Sequence, residues 1–378
     1  MNKILFISLL FNLFLSTSIF AQEKDINHQK SEISIASALA TIDLIRSVQN
    51  GEKATEADWE KLFSTDGFKY YFEKTAVKEE KQMIKNAIIL CFDKTMQDKR
   101  DSLLALPLNE VDAHGYSLLV IHNFYKLSTC LNEVEKFMKN VDFKSVMDKA
   151  REVVKTFLPP EARNANVAPF SLYLIATLAE IKVSGLFVFF DMNLAKDYSE
   201  DNIANLLAHE YHHYYRGLGL QKMFEKYQPT NDILLEVLNE IHREGTADLI
   251  DKPAYPMEKM DYPASIIKAY VQDFEGTPSK LEQIDLITQN FLRNPTDEAK
   301  KAYNGIGGMI PFGGHSTGYY MSLVIRSQLG IEPIIETYCD IQGFVKLYNE
   351  AAKKTGSEYI LSDIFMNHID RLLRGESK

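Results

Sequence analysis

Apolar residues recur at three- and four-residue intervals along most of this chain, the pattern of helices that each turn one face inward. In the first part it predicts helices over Ile33 to Val48, Glu56 to Phe63, Lys78 to Lys94, Val111 to Leu131 and Phe143 to Phe157. Turn signals at Gly51, Gly67, Pro107 and Pro159-Pro160 separate them. The period then changes. Val167 to Ile175 and Gly185 to Phe190 are short apolar runs with aromatic and β-branched residues, which predicts buried strands. Helical spacing returns over Asn202 to Arg216, with Ser199 as N-cap, Glu200 and Asp201 in the first turn, and Gly217 and Gly219 as a stop. A second such segment runs from Asn231 to Ile250. After Glu258 come Ile266 to Phe274, Lys280 to Leu292, Ser316 to Leu329 and Phe344 to Lys353. The fold class is therefore mainly α with a small β-sheet (α+β). With the proline pair as boundary, residues 22–160 form an N-terminal helical region and 161–378 the rest, both long enough to bury a core.

The helix over Asn202 to Arg216 carries His209-Glu210-Tyr211-His212-His213, which contains HExxH. Residues four apart stack on one helix face, so the His209 and His213 imidazoles can converge on one cation, with Glu210 beside them to handle a proton. Hydrolytic zinc chemistry asks for this: three protein ligands, a fourth position for water, and a carboxylate that takes the water's proton. The rival explanation is a solvated helix with clustered histidines. With 9 His in 378 residues, chance produces HExxH roughly 0.02 times per chain of this composition. His212 could also face a metal, but only His213 completes the motif, so His212 reads as packing or support.

The helix over Asn231 to Ile250 carries Glu236, Glu240, Glu244 and Asp248 on one face at intervals of four. Such like charges repel unless solvent, a partner or a metal compensates them, and Glu236 reads as an exposed acidic stripe. In Arg243-Glu244-Gly245-Thr246-Ala247-Asp248, the glycine lets two helices approach closely. Asp248, one turn on, is placed to accept a hydrogen bond from the non-ligating nitrogen of a metal-bound His. His242 points off the Glu240/Glu244 face and reads as structural.

The residues His209, Glu210, His213, Glu244, Gly245, Ala247 and Asp248 resemble the gluzincin group of zinc metallopeptidases. Together with the late Gly-His and Gly-Tyr segment they look like zinc-dependent peptidases of Bacteroidetes-type bacteria classed as a domain of unknown function. The likeness covers roughly residues 170 to 330. It implies a zincin-like catalytic domain over 161–378, with Zn2+ held by His209, His213 and Glu244. It further implies Glu210 as general base and later proton donor, and Asp248 as the residue orienting a ligand. The gap from His213 to Glu244 is longer than in the best-known gluzincins, implying an extended connection over Gly217 to Thr230, and Glu240 is the rival third ligand.

A hydrolase of this kind needs a donor for the oxyanion of its tetrahedral intermediate. Five of the chain's 18 glycines lie between Gly305 and Gly314, marking backbone that bends sharply or approaches something closely. His315 and Tyr319 follow, four apart on the helix over Ser316 to Leu329. His315 is the first candidate for the oxyanion donor and Tyr319 the second; the plain alternative is a loop leading into an ordinary helix.

The chain's start bears on location. Lys3 precedes an apolar run from Ile4 to Phe20 and Ala21-Gln22, which reads as a secretory signal peptide over 1–21, with an uncleaved anchor as the alternative. The expectation is an exported protein, periplasmic or extracellular, with no membrane span after cleavage. The formal charge of −10 becomes about −11 when Lys3 leaves with the signal. An acidic chain disfavours nucleic-acid binding. Cys91, Cys130 and Cys339 form no CxxC pair, so zinc binding through cysteine is not expected. The resulting expectation is an exported zinc metallopeptidase acting on peptide or protein substrates through a zinc-activated water, with Glu210 as base. Its rivals are a non-catalytic exported binding protein on a zincin-like scaffold and an all-helical interaction protein.

Overall fold

A computed structural model describes residues 32–75, 79–106, 113–163, 170–177, 179–227, 229–253, 264–356 and 358–376. The proposed leader and the turn at Pro107 lie outside them. The chain divides into two compact units, one of the described residues within 14–148 and 166–203, the other of those within 149–165 and 204–378.

The first unit holds the sheet. Strands β1 (Ile33–Ser34), β2 (Ser171–Ile175), β3 (Ile181–Ser184) and β4 (Phe187–Asp191) lie in the order β1-β2-β4-β3. β1 and β4 run parallel to β2, and β3 runs antiparallel to β4. Around the sheet stand helices α1 (Ala36–Gln49), α2 (Glu56–Phe63), α3 (Asp66–Thr75), α4 (Glu80–Phe92), α5 (Gln97–Leu104) and α6 (Ala113–Asn140), with the start of α7 (Phe143–Lys155). The chain is thus mainly helical with one small mixed sheet. One sheet face is aromatic: Tyr173, Phe187 and Phe189 stack on one another and meet Tyr70 and Tyr71 of α3.

Two local expectations change here. Ile33 and Ser34 pair with β2 instead of opening a helix, because the sheet edge offers backbone partners, as in the 2.8 Å bond from Leu172 N to Glu32 O. Gly67 lies inside α3 rather than in a turn, since a Cβ there would come within 2.6 Å of Ser37 Oγ and the glycine serves a close packing contact. At the end of β4, buried Asp191 accepts from Asn193 N, Leu194 N, Thr177 N and Asn123 Nδ2, and so caps α9 (Met192–Lys196).

The second unit contains α8 (Pro160–Arg163) and, from residue 204, the long helix α10 (Glu200–Tyr227). There follow α11 (Ile233–Asp251), α12 (Ala264–Glu275), α13 (Thr277–Arg293), α14 (Asp297–Asn304), α15 (His315–Leu329), α16 (Glu332–Glu336), α17 (Ile341–Thr355) and α18 (Asp363–Leu373). The expected stop at Gly217 and Gly219 does not occur: α10 runs on to Tyr227 and the extended connection shrinks accordingly. At Gly219 the reason is a packing contact, because a Cβ there would lie 2.5 Å from Tyr338 Oη and 3.0 Å from Cys339 Sγ.

The centre of this unit is the crossing of α11 and α15. A Cβ on Gly245 would sit 2.2 Å from the Gly318 carbonyl, and one on Gly318 would sit 2.0 Å from the Ile241 carbonyl oxygen, so the two backbones touch. Beside the crossing, Leu234, Leu238 and Ile241 share a buried cluster with Met321, Ile325, Phe344 and Tyr348. The glycine-rich run feeds α15 through two 3-10 turns, Ile306–Met309 and Pro311–Gly314, with positive φ at Phe312 (58°), Gly313 (62°) and Gly314 (91°). At Gly314 a Cβ would also press within 3.0 Å of the Ile241 backbone nitrogen.

A Gly318→Ala variant is expected to lose about 3 kcal/mol of stability, the upper end of overpacking costs, because the added methyl meets backbone that cannot move aside alone. Denaturant unfolding of the wild type and the variant measures it, and a loss below about 1 kcal/mol would show that the crossing tolerates separation.

Candidate metal centre

The close approach of α11 to α15 sets which side chains meet. Glu244 precedes Gly245 on α11, and His315 opens α15 three residues before Gly318. Helix α10 presents His209 and His213 from one face to the same point. Glu244 Oε2 then lies 3.4 Å from His209 Nε2, 3.2 Å from His213 Nε2 and 3.3 Å from His315 Nε2. That oxygen is buried and makes no hydrogen bond of acceptable geometry. Its partner Oε1 receives Arg243 Nη2 at 2.6 Å, and the same guanidinium reaches Glu240. Glu240 is half-buried and turned toward Arg243, so it is Glu244 that stands among the histidines. Glu236 is exposed.

Carboxylates behind the histidines fix their rings. His209 Nδ1 meets Asp251 Oδ1 at 2.9 Å, and His315 Nδ1 meets the two Asp248 oxygens at 3.0 and 3.1 Å. Asp248 Oδ1 is also 3.6 Å from His209 Nδ1. Lys252 Nζ lies 3.2 Å from Asp248 and 3.0 Å from Asp251, tying the pair together. With a carboxylate on Nδ1, each of these rings turns Nε2 toward Glu244, the orientation of a metal ligand. His209, Glu244, Asp248 and His315 each offer a donor atom within 4.8 Å of the other three. Asp248 uses both oxygens on His315 and one on Lys252, which makes it the orienting residue of that group.

The charges follow from this geometry. Burial works against a charged His209, but Asp251 outweighs it and holds the ring well above its ordinary pKa; at His315 burial is likewise opposed, by Asp248 and then Glu244, and the pKa is raised. Burial lowers His213 to about 4. Burial would raise Glu244, yet Arg243 and then His315 keep its carboxyl well below the usual range. Glu210, half-buried next to His209, is pushed up by burial, with His209 opposing. A divalent cation held here would compete with protons for imidazoles already aimed at one anionic oxygen.

Beneath the donors lies a second buried layer. Arg216 Nη2 donates to His242 Nδ1 at 3.1 Å, and the His242 ring stacks on Phe344 with centroids 4.6 Å apart. Burial keeps His242 and His212 well below their ordinary pKa, so both are neutral packing residues. Tyr319 lies one turn beyond His315, half-buried, its ring 6.0 Å from that of Phe274.

Three contributors escape a reading of the sequence alone: Arg243, Asp251 and Lys252. A signal for Asp251 does exist, since it continues the Glu244–Asp248 face by three residues, the other helical neighbour spacing. Arg243 adjoins Glu244 in sequence and is reached only through the side-chain fork that bridges Glu240 and Glu244.

The family described as "Putative zinc dependent peptidase (DUF5700)" matches residues 59–357. The chain belongs to that family. Its description makes zinc the cofactor and a peptide or protein the substrate, and the buried His and carboxylate cluster fits such an ion. No curated protein and no solved structure matches the chain. No helix among the described residues is long and apolar enough to cross a membrane.

Asp251→Asn is expected to weaken zinc binding about 10- to 100-fold while leaving the helical content intact, as for other residues that orient a ligand. Competition with a chromophoric chelator measures it; unchanged affinity would show that the Asp251 contact does not set the His209 ring.

Proposed function

We propose that the chain is an exported zinc peptidase of gluzincin type, in which His209, His213 and Glu244 hold the ion and Glu210 moves the proton. The observation that carries the reading is Glu244 Oε2, a buried oxygen left without a hydrogen bond of its own and faced by the Nε2 atoms of both motif histidines. A cation placed among these atoms would take a lone pair from that oxygen and from each Nε2 facing it, His315 included. Zinc, when bound, supplies a Lewis acid and lowers the pKa of water toward about 7.

The chain's own groups do the rest. Glu210 takes a proton from the water that attacks the scissile carbonyl carbon; the C–N bond breaks and the same carboxyl gives the proton to the leaving nitrogen. Its upward shift by burial brings its affinity for a proton closer to what both transfers need. Charge arising on the carbonyl oxygen is met by a donor at the start of α15, His315 or Tyr319. Export rests on the sequence of residues 1–21 and places the reaction outside the cytoplasm.

Purified protein is expected to carry about one zinc per chain. Glu244→Ala should lose it and Glu240→Ala should keep it. Glu210→Gln should keep the metal and lower cleavage of a peptide library by roughly 10²- to 10⁴-fold. Mass spectrometry of the products and elemental analysis report the two properties separately. Full activity in Glu210→Gln would remove the base from this scheme, and zinc lost with Glu240→Ala instead of Glu244→Ala would move the third ligand by one turn.

A further inference from the structure

We infer that His315 is a metal ligand, so that the ion sits among three imidazoles and one carboxylate: His209, His213, His315 and Glu244. The inference rests on the zinc-site reading above and narrows it, because it takes His315 out of the oxyanion role and leaves that role to Tyr319.

Distance is the first argument. The three Nε2 atoms lie 3.4, 3.2 and 3.3 Å from Glu244 Oε2. Donors of a tetrahedral zinc at 2.0–2.2 Å are separated from one another by about 3.3 Å, so His315 stands from Glu244 as a ligand stands from its neighbour, and as both motif histidines do. An oxyanion donor answers to the substrate's oxygen and needs no such distance to the metal's ligands.

Orientation is the second. His315 is built like His209: a buried carboxylate on Nδ1, at 3.0 Å from Asp248 for one and 2.9 Å from Asp251 for the other, and Nε2 turned to the same oxygen. Their rings lie nearly parallel, 28° apart, with centroids 5.8 Å apart. His213 has no such partner on Nδ1. By the criterion that identifies metal-bound imidazoles, His315 meets it more fully than the second histidine of the motif.

Placement is the third. The left-handed Gly314 and the Gly245–Gly318 contact hold the first residue of α15 against α11, so the position of His315 is set by backbone packing and not by a swinging side chain. His209, His213, His315 and Glu244 would together hold the ion, which would supply a Lewis acid beside Glu210.

The test uses the full chain loaded with zinc, or with Co2+ as a spectroscopic substitute. X-ray absorption at the zinc edge of the wild type is expected to fit three imidazole ligands; two would overturn the inference, and this reading needs no variant to fold. His315→Ala is expected to lower zinc affinity by more than about 100-fold, beyond the usual loss for an orienting residue, and to change the Co2+ absorption bands. An affinity within about tenfold of wild type and an unchanged Co2+ spectrum, with turnover lost, would assign His315 to the oxyanion instead. Circular dichroism of metal-free His315→Ala shows whether the variant folds. Zinc bound by the wild type without peptide cleavage would defeat the peptidase reading alone, while a wild type that binds no zinc would defeat both.

Discussion

The contact of two backbones at Gly245 and Gly318 is the constraint on which the site depends. Helices packed through side chains keep their axes 8–10 Å apart, a spacing that would hold the first turn of α15 away from the acidic face of α11. Here neither partner has a side chain, and the added Cβ atoms would meet carbon and oxygen at 2.0–2.2 Å. Glu244 is the residue before one glycine, and His315 lies three residues before the other. Short side chains on both helices can therefore touch without bending either one, and Asp248, one turn along α11, falls behind the imidazole it orients.

Packing this close concentrates charge in the buried interior. Glu244, Asp248 and Asp251 are all buried. Each buried carboxylate costs several kcal/mol in lost hydration unless paired, and the pairing is complete in kind: Arg243 for Glu244, Lys252 for both aspartates, and imidazoles for all three. A network of this sort is a poor way to stabilise a helical unit, since apolar side chains of the same volume would serve as well or better. Its place in the buried centre of the unit is explained by what the charges do together, which is to present one unsatisfied oxygen and several lone pairs to a cation. The layer below, with Arg216 on His242 and His242 on Phe344, adds a buried guanidinium whose charge interacts favourably with Glu244.

Much of this was legible in the residue pattern, for physical reasons that also mark where it stopped. The i,i+4 spacing of His209 and His213 and of Glu244 and Asp248 fixes which side chains share a helix face, because helix geometry is local. Which glycine ends a helix is not local. Gly217 and Gly219 look like a stop, yet α10 continues because Tyr338 and Cys339, more than a hundred residues later, occupy the space beside Gly219. Gly67 is the same case with Ser37. Ile33 and Ser34 have helical spacing and become strand because β2 supplies backbone partners. The distance from His315 to Glu244 was out of reach for a related reason: it depends on positive φ at Phe312, Gly313 and Gly314, and on a contact between helices some seventy residues apart.

If three imidazoles and a carboxylate hold the ion, the remaining question is whether such a set serves catalysis or only structure, and Glu210 bears on it. A structural zinc is surrounded by ligands and by groups that orient them, and has no use for a further acid. Glu210 orients no ligand in the contacts described, is half-buried, and is raised in pKa by the burial it does undergo. A carboxylate in that state is costly to keep for packing alone and well suited to taking up and releasing a proton. Tyr319, one turn from His315, complements it: burial raises its phenol, so it stays protonated as a neutral donor that does not compete for the metal. On this proposal α15 would supply a ligand from its first residue and an oxyanion donor from its fifth, and the crossing that brings α15 against Glu244 would position both.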